Sequence, residues 1–559
     1  MTVDTATRPV DELADRFWQG FLERQPVIAT ILGFDAHDDR LPDPGPAGRA
    51  AERAANTETL ERARGTDRSD LSTEESVTLD LLEVIAQTGL ELDDARLYQL
   101  AAVDQLFGPQ QIPSDLTQLQ KIDTAERFDR FLGRLSRYPE FIETVTGVMT
   151  EGRAERRTSA RVVVERVIGQ VERLLETAPE ESAIHTAMAP PRPEDRERLL
   201  EAIRRDVYPA YERYLAALRD YLPAARAEIG LWATPDGESA YRASIKASTS
   251  LNEEPHDLHA YGLAQLQAIN EERAVIAARL GRGSWRELLD DLDADPTNHA
   301  TEPQQLVARA EAQILKAQAA APSYFSRLPL SPCTVQAVEP YREKDAPFAF
   351  YYAPDKDRSR PGIYFVNTYD LPQRPYHMLA TTTYHEAVPG HHFQIALEQE
   401  LEELSEFRRF GSRLAGTAFV EGWGLYAERL ADEIGLYEDD LERIGMLGAQ
   451  AWRAARLVVD TGIHALHWTR DQAVQFLTDS GLTPINAAIE TDRYISWPGQ
   501  ALAYKVGQRE ILRLRDALAE RDGPRFDLRR FHDQTIGHGS LSLDTLRREL
   551  PRWVRPRED

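Results

Sequence analysis

The chain has 559 residues, of which 42% are hydrophobic and 28% charged, enough for a large core without covalent staples. Its single cysteine, Cys333, excludes an intramolecular disulfide and a thiolate-rich zinc cluster. A formal net charge of −26 repels phosphate backbones, so no nucleic acid is expected as a partner.

The N-terminus, Met1 to Val10, carries no apolar signal-like segment. No apolar run reaches the roughly 18 residues that span a bilayer. These two readings predict a cytoplasmic protein with no membrane partner. Leu13, Phe17 and Phe21 then recur every four residues, widened by Trp18 and Leu22, which predicts a helix ending near Pro26. His37 to Pro46 reads as a loop. Ser72 and Glu75 form a capping-box pattern ahead of Leu79, Leu82 and Ile85. Further helices are predicted over 124–136, 139–150 and 158–176. A Pro-rich connection from Ala178 to Pro193 leads into a long helix from Glu194 towards Leu222. After the turn at Pro235-Asp236-Gly237, helical patterning returns over 256–280 and 302–320.

Pro322 to Pro347 reads as irregular. Two short aromatic and β-branched runs follow, 348–352 and 362–366, separated by polar residues; they predict a hairpin with a long loop. Beyond Arg374 the pattern is helical again. The fold class is therefore mainly α with one small sheet.

The densest chemistry lies at His385-Glu386-Ala387-Val388-Pro389-Gly390-His391-His392. In the familiar zinc-peptidase pattern two histidines stand four apart on one helix face, and the glutamate after the first is a general base. Here Pro389 occupies the fourth position, and the histidines fall six and seven residues on. On a regular helix the sixth residue lies about 120° round, and the seventh about 10 Å along the axis. Neither can share a metal with His385. Pro389 breaks the hydrogen-bond ladder and Gly390 tolerates unusual backbone, so looping out two residues returns His391 to the position of a second ligand. His392 stays as the alternative ligand, or else a neighbouring donor. Glu421, among apolar and aromatic residues, is the candidate third ligand, with Glu428 placed to orient a histidine. The competing reading pairs Glu421 with an arginine such as Arg413.

The segment from Tyr384 to Gln394 resembles the signature of the domain-of-unknown-function 885 family. The likeness extends to Pro361–Thr368, to Val420–Glu428, to Pro498–Gly507, and to the N-terminal Phe17-Trp18 helix with Pro26 and Gly33. That family looks related to the gluzincin metallopeptidases. The resemblance implies a two-lobed helical body with a deep central channel, shaped like thimet-type oligopeptidases and angiotensin-converting enzyme. A helical lobe would occupy 1–330 and a metal-site lobe 331–559.

On this reading Zn2+ is held by His385, His391 and Glu421, and Glu386 activates water to hydrolyse short peptides. Tyr504 is the candidate oxyanion donor, because a downstream tyrosine has that part in the related peptidases; Tyr494 and His538 are weaker candidates. The strand Gly362–Val366, with Tyr364 at its centre, could pair as an edge with an extended peptide. Arg493, Lys505 or Arg374 could bind a substrate carboxylate, which would make the enzyme a carboxypeptidase. Competing functions are a zinc hydrolase of small amides and an inactive metal-containing peptide-binding protein. Monomer and homodimer both stay open.

Overall fold

Apolar residues at helical spacing, and helix starts marked by proline or a capping side chain, set most of the architecture. The computed structural model describes residues 9–339, 343–344 and 346–555. It is 69% helix and 3% strand. The stretch Met1–Arg8, part of the segment read for a signal sequence, lies outside the described residues. No described helix is long and apolar enough to cross a membrane.

The first helices are α1 (Pro9–Arg24), α2 (Pro46–Gly65) and α3 (Thr73–Asp94). α1 buries Leu13, Phe17, Trp18, Phe21 and Leu22, the stripe expected from the sequence. α3 begins with the capping box: Glu75 N donates to Ser72 Oγ at 3.3 Å, and Ser72 N donates to Glu75 Oε2 at 2.8 Å. Next come α4 (Ala125–Ser136), α5 (Tyr138–Ala154), α6 (Arg161–Glu176) and α7 (Tyr208–Tyr221). The long helix expected from Glu194 towards Leu222 is present, helical without a gap from Asp195 to Tyr221. A short helix, Asp195–Ala202, passes through a wider π turn at Ile203–Val207 before α7. Pro209 explains the wider turn, since its ring has no N–H to give to the preceding turn.

Three further helices, α8 (Gly237–Thr249), α9 (Pro255–Arg279) and α10 (Pro303–Ala320), precede the sheet. Its strands are β1 (Cys333–Ala337), β2 (Ala349–Tyr352) and β3 (Gly362–Val366), in the order β1-β3-β2. The expected hairpin is present, with Ala349 opposite Val366 and Tyr352 opposite Ile363. β1 was not expected, and it pairs parallel to β3 with Cys333 opposite Gly362. This corrects the edge-strand expectation: β3 is bonded on both sides and offers no free edge to a peptide.

The C-terminal part comprises α11 (Tyr376–Glu386), α12 (His391–Gln399), α13 (Ala418–Glu433), α14 (Asp440–His464), α15 (Arg470–Asp479) and α16 (Pro484–Ser496). It ends with α17 (Ala503–Asp522), α18 (Leu528–Ile536) and α19 (Leu543–Trp553).

Apolar side chains form two clusters. The larger gathers α1, α3, α8–α13 and α17–α19 around Leu379, Phe393, Trp423 and Val506, and includes residues on both sides of position 330. The second is built from residues between Ala102 and Ile229, together with the α15–α16 region. α14 serves both. Ile444, Leu447, Ala451 and Ala454 face the first cluster; Ala455, Val459 and Ile463 face the second. A helix apolar on two faces is buried on two faces.

α13 and α17 meet without side chains between them. A Cβ on Gly507 would fall 1.8 Å from Ala418 O and 2.7 Å from Gly422 Cα. Gly507→Ala should therefore destabilise the fold by about 1–3 kcal/mol or more, read by chemical denaturation. Gly147, inside α5 with open space around its missing Cβ, is the opposite case. Gly147→Ala should raise stability by about 0.5–1 kcal/mol in the same assay.

Candidate metal centre

The histidine motif lies on two helices, where the sequence suggested a bulge within one. α11 ends as Ala387 leaves the helical region at φ −109°, ψ −100°. The chain then passes the cis Val388–Pro389 bond, and α12 starts at His391. Only glycine fits at Gly390, because a Cβ there would fall 1.9 Å from His385 O. Trp423 Nε1 donates to Pro389 O at 2.8 Å and ties the break to α13. The outcome is the expected one: His385 and His391 lie side by side, ring centroids 4.6 Å apart.

α13 supplies the third group. Glu421 Oε2 lies 3.5 Å from His385 Nε2 and 3.4 Å from His391 Nε2. That oxygen is buried and has no hydrogen-bond partner among the described residues. Ligands at about 2.0–2.1 Å around a tetrahedral zinc stand about 3.4 Å apart, so the three atoms fit a shared ion. Gly424 makes the approach possible, since a Cβ on it would meet His385 Nε2 at 2.9 Å and His391 Cε1 at 3.0 Å. Arg413 is not paired with Glu421; the two imidazoles take that place.

Glu386 completes the group: it offers an oxygen within 4.8 Å of ligand atoms on both His385 and His391. Burial raises its pKa above the ordinary carboxylate range, the direction a proton acceptor and donor near neutrality needs. Behind His385, Glu428 Oε1 sits 2.9 Å from Nδ1 and fixes that proton, leaving Nε2 to face the centre. Burial works against a charged His385, but the neighbouring carboxylates of Glu421 and Glu428 outweigh it and push the ring up to about 10.

The second carboxylate oxygen of Glu428 accepts from Gln450 Nε2 at 2.9 Å. Gln450 Oε1 in turn accepts from Lys505 Nζ at 3.1 Å. Lys505, expected to meet substrate, is only 2% exposed and belongs to this interior network. Burial pushes its ammonium down to about 7.

Other expectations need correction. His392 does not reach the centre: Nε2–H donates to Ser331 O at 3.0 Å, and Nδ1 accepts from Tyr351 Oη at 2.9 Å. Burial pushes it down to about 4. Tyr364 is fully buried beneath β3, where Thr383 Oγ1 donates to its hydroxyl at 3.4 Å, so it cannot touch a substrate. Tyr494 is locked between Glu490 and Arg456, and His538 is held by Glu74 and stacked on Trp553. Arg374 donates to Tyr369 O at the surface.

Tyr504 does stand at the centre, its ring 6.4 Å from that of His385 and nearly parallel to it. Arg493 Nη2 donates to its hydroxyl at 3.4 Å and to Gln500 Oε1 at 3.0 Å. Gln500 also lines a cavity of about 470 Å3 between the two apolar clusters, with Asn56, Tyr98, Ser159, Ser244 and Trp497. The histidines do not line that cavity, which touches the centre through Gln500 and Arg493. Sequence reasoning missed Gln450, Arg453 and Arg456 on α14. The available signal was polar side chains on a helix otherwise patterned for burial on two faces.

A mainly helical body with a buried His/His/Glu cluster is thus the class that fold and site define. The chain belongs to the family described as bacterial protein of unknown function (DUF885), which matches residues 26–550. A solved structure described as "the putative lipoprotein from Colwellia psychrerythraea" is 27% identical. The match covers 97% of this chain and 98% of that one, with a TM-score of 0.90. A second, "a putative lipoprotein of unknown function from Shewanella oneidensis", is 19% identical over 97% and 99% of the two chains. Its TM-score of 0.74 speaks to the fold alone. No curated protein matches the chain. The expectation of a cytoplasmic protein is overturned by the description of both neighbours as lipoproteins. It rested on missing apolar runs, which do not report where a chain resides.

If Glu428 holds the His385 ring for a metal, Glu428→Gln should weaken Zn2+ binding by about 10–100-fold, measured by chelator competition, with helix content unchanged.

Proposed function

We propose that the chain is a metal-dependent hydrolase of peptide bonds in short peptides, with His385, His391 and Glu421 as ligands to Zn2+. The observation that carries this reading is the buried, unpartnered Glu421 oxygen at ligand spacing from two imidazoles, with Glu386 beside them. The likeness to gluzincin peptidases drawn from the motif is part of the same proposal.

A bound Zn2+ supplies Lewis acidity to a water molecule and to a carbonyl oxygen. The residues of this chain do the rest. Glu386 takes a proton at its carboxylate as the attack proceeds and passes it to the departing amine. Tyr504 Oη–H has no acceptor among the described residues, so its proton is free for a developing oxyanion. Arg493, donating to that same oxygen, polarises it and fixes its direction. Glu428 keeps His385 in one tautomer. Trp423, through Pro389, keeps the two metal helices at a fixed angle.

The test is metal content by mass spectrometry together with cleavage of a short-peptide library. Wild type should bind about one Zn2+ per chain and cleave. Glu421→Ala should lose both properties. Glu386→Gln should keep the metal and lose cleavage by about 100-fold or more. Zinc-loaded wild type that cleaves no peptide would reject the reading.

A further inference from the structure

Beside Tyr504 the chain gathers three guanidinium groups, with direct ion pairs only to Glu490. Arg456 is only 2% exposed. Its Nε donates to Tyr494 Oη at 3.0 Å and its Nη2 pairs with Glu490 Oε2 at 3.0 Å. Its Nη1 is buried with no partner among the described residues. Arg453, one turn earlier on α14, has no ion-pair partner among the described residues, and its Nε is also buried and unpartnered. Arg493 adds a third guanidinium, sharing Glu490 at 3.5 Å. All three gather on one side chain. Arg456 stacks 4.3 Å over the Tyr504 ring, Arg453 lies 6.0 Å from it, and Arg493 donates to its hydroxyl. Trp452 backs Arg453 at 4.4 Å and Arg456 at 4.5 Å.

Buried donors left without acceptors are costly, and buried guanidinium groups are ordinarily paired. Arg456 and Arg493 share the one carboxylate of Glu490, and Arg453 has no ion pair of its own among the described residues, in a protein whose overall charge is −26. Arg453 and Arg456 therefore hold unused donors beside Tyr504 that an anion can accept from. Planar guanidinium forks suit a carboxylate.

We propose that Arg453, Arg456 and Arg493 form a carboxylate-binding subsite that holds the free C-terminus of the peptide. This deepens the peptidase reading above and rests on it. Distance sets the register. Arg453 is 6.0 Å from the Tyr504 ring, and that ring is 6.4 Å from His385. The subsite therefore lies within about four extended residues of the metal centre. The enzyme class is a carboxypeptidase that trims residues or very short fragments from the C-terminus.

The experiment measures binding, without cleavage. Zinc-loaded Glu386→Gln protein is titrated calorimetrically with an N-acetylated pentapeptide as free acid and as C-terminal amide. The free acid should bind about tenfold or more tightly. Arg453→Met and Arg493→Met, with unchanged circular dichroism, should lose that preference while keeping the metal. Equal binding of acid and amide, or binding of neither, overturns the proposal without recourse to any variant. A preference that survives in both arginine variants also overturns it, because the carboxylate would then sit elsewhere, on the metal itself for example. Preference for the acid in a protein whose wild type cleaves nothing would sink the peptidase reading and leave the subsite standing.

Discussion

The close contact of α13 with α17 is the constraint on which the centre depends. Glycines at 422 and 507 let the two backbones touch, and every group that matters is placed from that seam. Glu421 and Glu428 come from one helix and Tyr504 from the other. Gly424, half a turn beyond the seam, leaves the room into which the two imidazoles descend. A side chain at any of these glycines would push Glu421 away from the two imidazoles or the two backbones apart. The backbone contact thus does for geometry what a disulfide might do elsewhere, in a chain whose only cysteine is Cys333.

Around this seam the protein accepts many buried polar groups, and it does so by linking them. His385, Glu428, Gln450, Lys505 and Gln508 form one connected set of donors and acceptors. Each group desolvated on folding regains a partner, which keeps the cost of burial low and holds the histidine rigid. Exceptions also occur at the centre itself. Glu421 Oε2, Arg453 Nε and Arg456 Nη1 stay without partners.

Much of this was legible in the sequence, for physical reasons. Stripes such as Leu13, Phe17 and Phe21, and the Ser72/Glu75 cap, determine local structure through short-range contacts, and those helices lie where expected. The His385–His392 segment could be solved by helix geometry, which brought out His391 because Pro389 and Gly390 cannot continue a helix. Strand β1 was hidden because Thr334 and Gln336 give Cys333–Ala337 little apolar signal, and its partner lies almost 30 residues away in sequence. Tyr364 and Lys505 were misjudged because polar side chains near a motif look available, whereas their burial is decided by distant elements. The composition of the second apolar cluster was equally out of reach, since it joins 102–229 to parts of α14, α15 and α16.

α14 has a mechanical consequence. One rod carries apolar faces into both clusters, and between those faces it carries Gln450, Arg453 and Arg456. Two bodies sharing a rod cannot swing like the jaws of a clamp without bending it or stripping one face into water. Movement at the centre is therefore left to side chains and connecting loops yielding locally, while Arg453 and Arg456 keep a fixed spacing like marks on one ruler.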